Sequence, residues 1–203
     1  MSKIKICGLS RKCDIEAVNE IQPDYIGFVF AEKSKRHVDF ETALSLKKLL
    51  DKKIKAVGVF VNNDIDYILS LINSEIIDIV QLHGDEDEQY IQRLKAKTSV
   101  PIIKAVRVKN ANDILCADRL PVDYLLLDTY MKGEYGGSGK VFDWNMIPKI
   151  SKPYFLAGGL NQDNIQSALK VGAYCLDVSS GAETDGKKDR TKINKLVKTV
   201  RRK

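Results

Sequence analysis

Eight short apolar runs recur along this 203-residue chain at intervals of roughly 20 to 30 residues, each followed by a segment of different character. They span Ile4 to Cys7, Tyr25 to Phe30, Ala56 to Val61, Ile77 to Leu82, Ile102 to Val106, Tyr124 to Asp128, Tyr154 to Ala157 and Ala173 to Val178. Most are apolar on both faces, which suits parallel strands covered by helices rather than strands with one side in water. Amphipathic segments lie between them: Arg11 to Ile21, Phe40 to Leu50, Ile65 to Asn73, Glu86 to Lys97, Asn112 to Leu120, Asn161 to Val171 and Thr191 to Arg202. The gap after the sixth run differs. It holds Gly133-Glu134-Tyr135-Gly136-Gly137-Ser138-Gly139-Lys140, which reads as a lid or a loop without a role, and then a weak helical signal over Trp144 to Ile150.

Strand and helix signals alternating eight times over this length predict an α/β protein: one (β/α)8 TIM barrel of the phosphate-binding type, over residues 1–203, rather than an open doubly wound sheet. In such a barrel, functional side chains gather just after the C-terminal ends of the strands. Cys7, Arg36, His83, Arg107, Asp128, Gly158-Gly159 and Ser179-Ser180-Gly181 all fall there.

Composition narrows the partners. With 44% hydrophobic and 30% charged residues and no apolar stretch near the roughly 20 needed to span a bilayer, no membrane association is expected. Many of the basic residues behind the net charge of +6 lie on outer helix faces, as in Leu46-Lys47-Lys48-Leu49 and Lys192-Ile193-Asn194-Lys195, which argues against a nucleic acid, and a small anionic substrate explains the excess equally well. Four scattered cysteines and two histidines make neither a disulfide framework nor a metal set. The first strand begins almost at Met1 without a leader pattern, which points to the cytoplasm, and no obligate protein partner is indicated.

The chemistry concentrates in four places. Cys7 ends the first strand beside Gly8, where a thiol is either a buried small hydrophobe or, with a cation near, reactive. Asp128 emerges from Leu125-Leu126-Leu127, where desolvation favours the neutral acid, although a turn-capping role is equally compatible. Gly158-Gly159 and Ser179-Ser180-Gly181 follow strands seven and eight, where barrels bind phosphate through backbone N–H groups. Arg36 suits a carboxylate, and His83 is either a titrating group or a loop hydrogen-bonder. No nucleotide or dinucleotide phosphate loop is present, so the phosphate belongs to the substrate and no cofactor is implied.

Taken in order, Lys5-Ile6-Cys7-Gly8, Gly27-Phe28-Val29-Phe30, Ser34-Lys35-Arg36-His37-Val38, Val80-Gln81-Leu82-His83-Gly84-Asp85-Glu86, Leu126-Leu127-Asp128-Thr129, Leu156-Ala157-Gly158-Gly159-Leu160 and Asp177-Val178-Ser179-Ser180-Gly181 resemble the phosphoribosylanthranilate isomerase family of tryptophan biosynthesis over nearly the whole chain. Ser138 and Ala182 depart from the usual threonine and valine of that pattern. The resemblance implies a cofactor-free Amadori rearrangement. Cys7 would be the general base, Asp128 the general acid, Arg36 the holder of the anthranilate carboxylate, and Gly158, Gly159, Ser179, Ser180 and Gly181 the phosphate cradle. Asp177 and His83 would be further substrate contacts. For these roles a cation or backbone dipoles must favour the Cys7 thiolate. Another phosphate-binding barrel isomerase, or a phosphate-sensing barrel without catalysis, remains the alternative, though the latter needs neither Cys7 nor Asp128.

Overall fold

A computed structural model describes residues 2–129 and 142–201, and the glycine-rich stretch 133–140 lies outside the described residues. Strands β1 (Lys3–Cys7), β2 (Tyr25–Val29), β3 (Lys55–Phe60), β4 (Ile79–Leu82), β5 (Ile102–Val108), β6 (Tyr124–Thr129), β7 (Tyr154–Leu156) and β8 (Cys175–Val178) are all parallel and close into a barrel in chain order. Closure is made by β1 on β8, with Ile4 opposite Leu176 and Ile6 opposite Val178.

Helices α1 (Lys12–Ile21), α2 (Phe40–Leu49), α3 (Ile65–Asn73), α4 (Glu88–Lys95), α5 (Ala111–Ala117), α6 (Ile165–Lys170) and α7 (Arg190–Arg201) surround the strands. Their starts are dictated locally: Asp39 and Asp87 accept from the amides of Thr42 and Tyr90, each at 2.8 Å. Helix α6 is shorter than its apolar pattern because Asn161 and Asn164 bond each other's backbone in a turn ahead of it. Between β6 and β7 the expected helix over Trp144 to Ile150 is only a 3-10 turn, Trp144–Met146, capped by Asp143. No described helix is long and apolar enough to cross a membrane.

Two large apolar regions and a small third one of Cys7, Val29 and Val59 result among the described residues. Ile4, Ile6, Phe28, Phe60 and Leu82 pack outward against Ile15, Leu46, Ile68, Leu94, Ile193 and Leu196 of the helices. Inside the barrel, Tyr25, Val57, Ile79, Ile103, Leu126, Phe155 and Cys175 fill the lower half. The alternation of β1 is therefore inverted relative to a surface strand: its isoleucines face the helices, while Lys5 and Cys7 face the barrel axis. Lys5 on β1 bonds Gln81 on β4, three strands away, which is possible only across the interior.

After β8 a 3-10 turn (Ser180–Ala182) leads into an antiparallel hairpin, β9 (Glu183–Thr184) and β10 (Lys187–Lys188), which brings Glu183 and Lys188 back over the end of β1.

Candidate active site at the C-terminal mouth of the barrel

Above the apolar layer the barrel interior turns polar. Lys5 is fully buried, and its Nζ donates at 2.9 Å to both Gln81 Oε1 and Asp177 Oδ2. Asp177 is 8% exposed, and its Oδ1 is buried without a hydrogen-bond partner, so the bond to Lys5 is what holds it. The Asp177 carboxylate keeps Lys5 charged: burial alone would lower the lysine's pKa, yet the net direction is up. Gln81 Nε2 lies 2.8 Å from His83 Nδ1, and His83 Nε2 lies 3.3 Å from Asp128 Oδ2, off the line of a hydrogen bond. Asp128 is 6% exposed, and its Oδ1 accepts from the Thr129 amide at 2.8 Å. A continuous polar row thus runs from Asp177 through Lys5, Gln81 and His83 to Asp128.

Cys7 ends β1 beside Val29 and Val59 and is 8% exposed. Burial pushes its thiol above the ordinary value; the ammonium groups of Lys5 and Lys188 oppose this, and the Asp177 charge reinforces it. The expected cations are present, but in the free protein they do not outweigh desolvation. Lys188 is itself lowered by burial, against which Glu183 raises it. Its Nζ donates to the Ser179 carbonyl at 3.0 Å and to Glu183.

Arg36 stands in the loop after β2, its side chain 26% exposed, in a two-point pair with Glu183: Nε to Oε1 at 2.7 Å and one terminal nitrogen to Oε2 at 2.8 Å. Despite its burial, Glu183 is held below the usual carboxylate range by Arg36 and Lys188. Arg107 lies within β5 and pairs with Asp85.

The two glycine turns are neighbours. A Cβ on Gly181 would fall 2.0 Å from the Leu160 carbonyl oxygen, so the loop after β8 rests directly on the loop after β7. Gly158 has φ +84°, and a Cβ there would meet Thr129 Oγ1 at 2.4 Å and Asp128 Oδ1 at 2.9 Å. The first glycine of the turn thus also gives Asp128 its room. Ser179 Oγ donates to the Cys7 carbonyl at 3.2 Å, tying the loop after β8 to the end of β1.

Every candidate named from the sequence lies at this one end of the barrel. The sequence alone does not single out Lys5, Gln81, Glu183 and Lys188. The signal for Gln81 is a long polar side chain in an otherwise apolar strand, and that for both Lys5 and Gln81 is their place two residues before Cys7 and His83 on the same strand face. Glu183 and Lys188 reach the site through a hairpin with no counterpart in the repeating pattern.

A closed parallel barrel with ionisable side chains collected at its C-terminal mouth defines a (β/α)8-barrel enzyme. The family model described as N-(5'phosphoribosyl)anthranilate (PRA) isomerase matches residues 4–199. The N-(5'-phosphoribosyl)anthranilate isomerase of Endomicrobium trichonymphae is 53% identical over 202 residues, covering 99% of each chain. The crystal structure of phosphoribosyl anthranilate isomerase from Thermotoga maritima superposes with a TM-score of 0.87 at 35% identity, covering 98% of both chains. A phosphoribosyl anthranilate isomerase solved in complex with reduced 1-(o-carboxyphenylamino)-1-deoxyribulose 5-phosphate gives 0.82 at 33%, again covering 98% of both. The chain belongs to the phosphoribosylanthranilate isomerase family.

Proposed function

We propose that Asp128 and Cys7 are the acid and base of the Amadori rearrangement by which this isomerase of tryptophan biosynthesis converts N-(5-phosphoribosyl)anthranilate to 1-(o-carboxyphenylamino)-1-deoxyribulose 5-phosphate. The observation that carries the assignment is the placement of both groups at the ends of β1 and β6, nearly buried at one mouth of the barrel, with Asp128 at one end of the polar row. Asp128 gives its proton to the furanose ring oxygen, the bond from C1′ to that oxygen breaks, and an iminium forms. The Cys7 thiolate takes the proton from C2′, and the released pair makes the C1′–C2′ double bond of an enolamine. Loss of the 2′-hydroxyl proton and protonation of C1′ yield the ketone.

Arg36, with one edge occupied by Glu183, offers its remaining N–H groups to the anthranilate carboxylate. The backbone amides of Gly158, Gly159, Ser179, Ser180 and Gly181 receive the phosphate where the two loops meet. Asp177 and His83 line the same mouth; Asp177 is committed to Lys5 through one oxygen only. The substrate is thus a small phosphorylated anion, and the working compartment is the cytoplasm.

The test follows the fluorescence of freshly formed phosphoribosylanthranilate. Wild type consumes it, and Cys7→Ser and Asp128→Asn each lower kcat by about 10²- to 10⁴-fold, the range of a lost proton-transfer group. Undiminished turnover in either variant removes that residue from its role, and no consumption by wild type removes the function.

A further inference from the structure

We propose that Lys5, acting through Gln81, holds His83 as the neutral imidazole protonated on Nε2, making His83 a positioning residue that keeps an N–H donor on the general acid Asp128. The inference begins from a buried ammonium. Lys5 Nζ has only hydrogens to offer, so the Gln81 atom 2.9 Å from it is the amide oxygen. The amide cannot be turned over, because its NH2 group would then face the ammonium, donor against donor, at a site with 0% exposure for Lys5 and 1% for Gln81. With its oxygen committed to Lys5, Gln81 presents Nε2–H to His83 Nδ1 at 2.8 Å. Nδ1 must therefore accept, and the ring proton resides on Nε2.

That proton lies beside Asp128 without being aligned on it. Nε2 is buried and lacks an aligned partner, yet it lies 3.3 Å from Asp128 Oδ2. Such a contact is weak while Asp128 is protonated and strengthens as the acid gives up its proton and Oδ2 gains charge. It thus favours the transition state over the ground state. The other charges of this loop are paired away from the ring. Lys104 donates to Glu86 at 2.7 Å and to the Gly84 carbonyl at 2.8 Å, and Arg107 pairs with Asp85. A fully protonated imidazolium would set a second N–H against the Gln81 NH2, so the row favours one neutral tautomer.

The role rests on Asp128 being the acid, but the tautomer does not, and it is measured without substrate. The chain contains two histidines, His37 and His83, so ¹⁵N–¹H correlation spectra of the imidazoles at pH 8 give two patterns, with His37→Gln assigning them. The expected result is Nε2–H for His83 in wild type and a switch to Nδ1–H in Gln81→Glu, whose carboxylate would accept from the ring. His83→Leu should lower kcat about 10- to 100-fold with little change in KM, the scale of a lost hydrogen bond to a charged group; His83→Gln, which keeps an N–H donor, should recover part of that loss. Nδ1–H in wild type overturns the proposal even if Gln81→Glu fails to fold, and so does an unchanged tautomer in a folded Gln81→Glu. A correct tautomer with undiminished turnover in His83→Leu removes the positioning role, whereas inactivity of Asp128→Asn bears only on the acid.

Discussion

At the scale of single residues, the site depends on atoms that are absent as much as on those present. Gly158 was legible as a phosphate-loop glycine, but its closest neighbours are the carboxylate and threonine at the end of β6. A methyl group there meets Thr129 and Asp128 at 2.4 and 2.9 Å, and the φ of +84° adds about 1–2 kcal/mol for any L side chain. Gly158→Ala is therefore expected to reduce kcat through a displaced Asp128, as well as to raise KM; an effect confined to KM, with kcat intact, would show that the glycine serves the phosphate alone. The same scale shows what the sequence could not yield. Cys7 and Asp128 stand out by chemical type at strand ends, whereas Lys5 blends into the alternation of charged and apolar side chains in Lys3-Ile4-Lys5-Ile6. Its meaning depends on which side of β1 faces the axis, and alternation alone does not say.

Among the elements, the eight strands were legible because each apolar run must be buried on both faces, but their first residues were not. The run beginning at Ile77 becomes a strand only at Ile79, because Asp78 is used otherwise. Its carboxylate accepts from the Ala56 amide at 2.8 Å while its own amide donates to the Ala56 carbonyl at 2.8 Å. Asp24 does the same to Ile4, at 3.0 and 3.1 Å, and Asp123 to Ile102, at 2.8 and 3.0 Å. Three aspartates, each directly preceding an even-numbered strand, thus clip it to the first residues of the strand before it. The helix expected between β6 and β7 fails for a related local reason: Asp143 caps a single 3-10 turn, and Pro148 and Pro153 flank an extended path that cannot continue it. Although burial would raise the Asp78 carboxyl, bonds from Lys47 and the Ala56 amide hold it below its ordinary value. Asp78→Ala should cost about 1–3 kcal/mol, as an inward amide loses its acceptor, and lower Tm by about 2–4 °C per kcal/mol. Asp78→Asn, which keeps an acceptor oxygen, should recover part of this in a thermal melt; equal losses in the two variants would assign the effect to charge.

Across the whole molecule, the barrel interior is divided by height: an aromatic and aliphatic layer below, and above it a polar layer in which Lys5 pairs with Asp177, Lys188 with Glu183 and Lys104 with Glu86. That division follows from burying side chains of eight strands on one axis, with the functional polar groups gathered at the C-terminal mouth. It also determines how the base behaves with pH. Desolvation holds Cys7 as a thiol, with Lys5 and Lys188 opposing, so its ionisation in the folded protein lies above the ordinary thiol value. A group whose folded pKa is raised supports the fold fully below its unfolded pKa and withdraws that support as pH climbs through the folded one. Stability should therefore decline from about pH 8.5 upward, and Cys7→Ser should flatten part of that decline in denaturant titrations at pH 7 and pH 10. The same sign governs catalysis, because the thiolate fraction rises with pH. Ultraviolet thiolate absorbance, taken as wild type minus Cys7→Ser, should titrate above the ordinary thiol range. Lys188→Met removes one of the two opposing cations and should move that midpoint higher still, with the rate at neutral pH falling accordingly. A midpoint at or below the ordinary value, or one that drops in Lys188→Met, would mean that groups other than these two lysines govern the ionisation of the base.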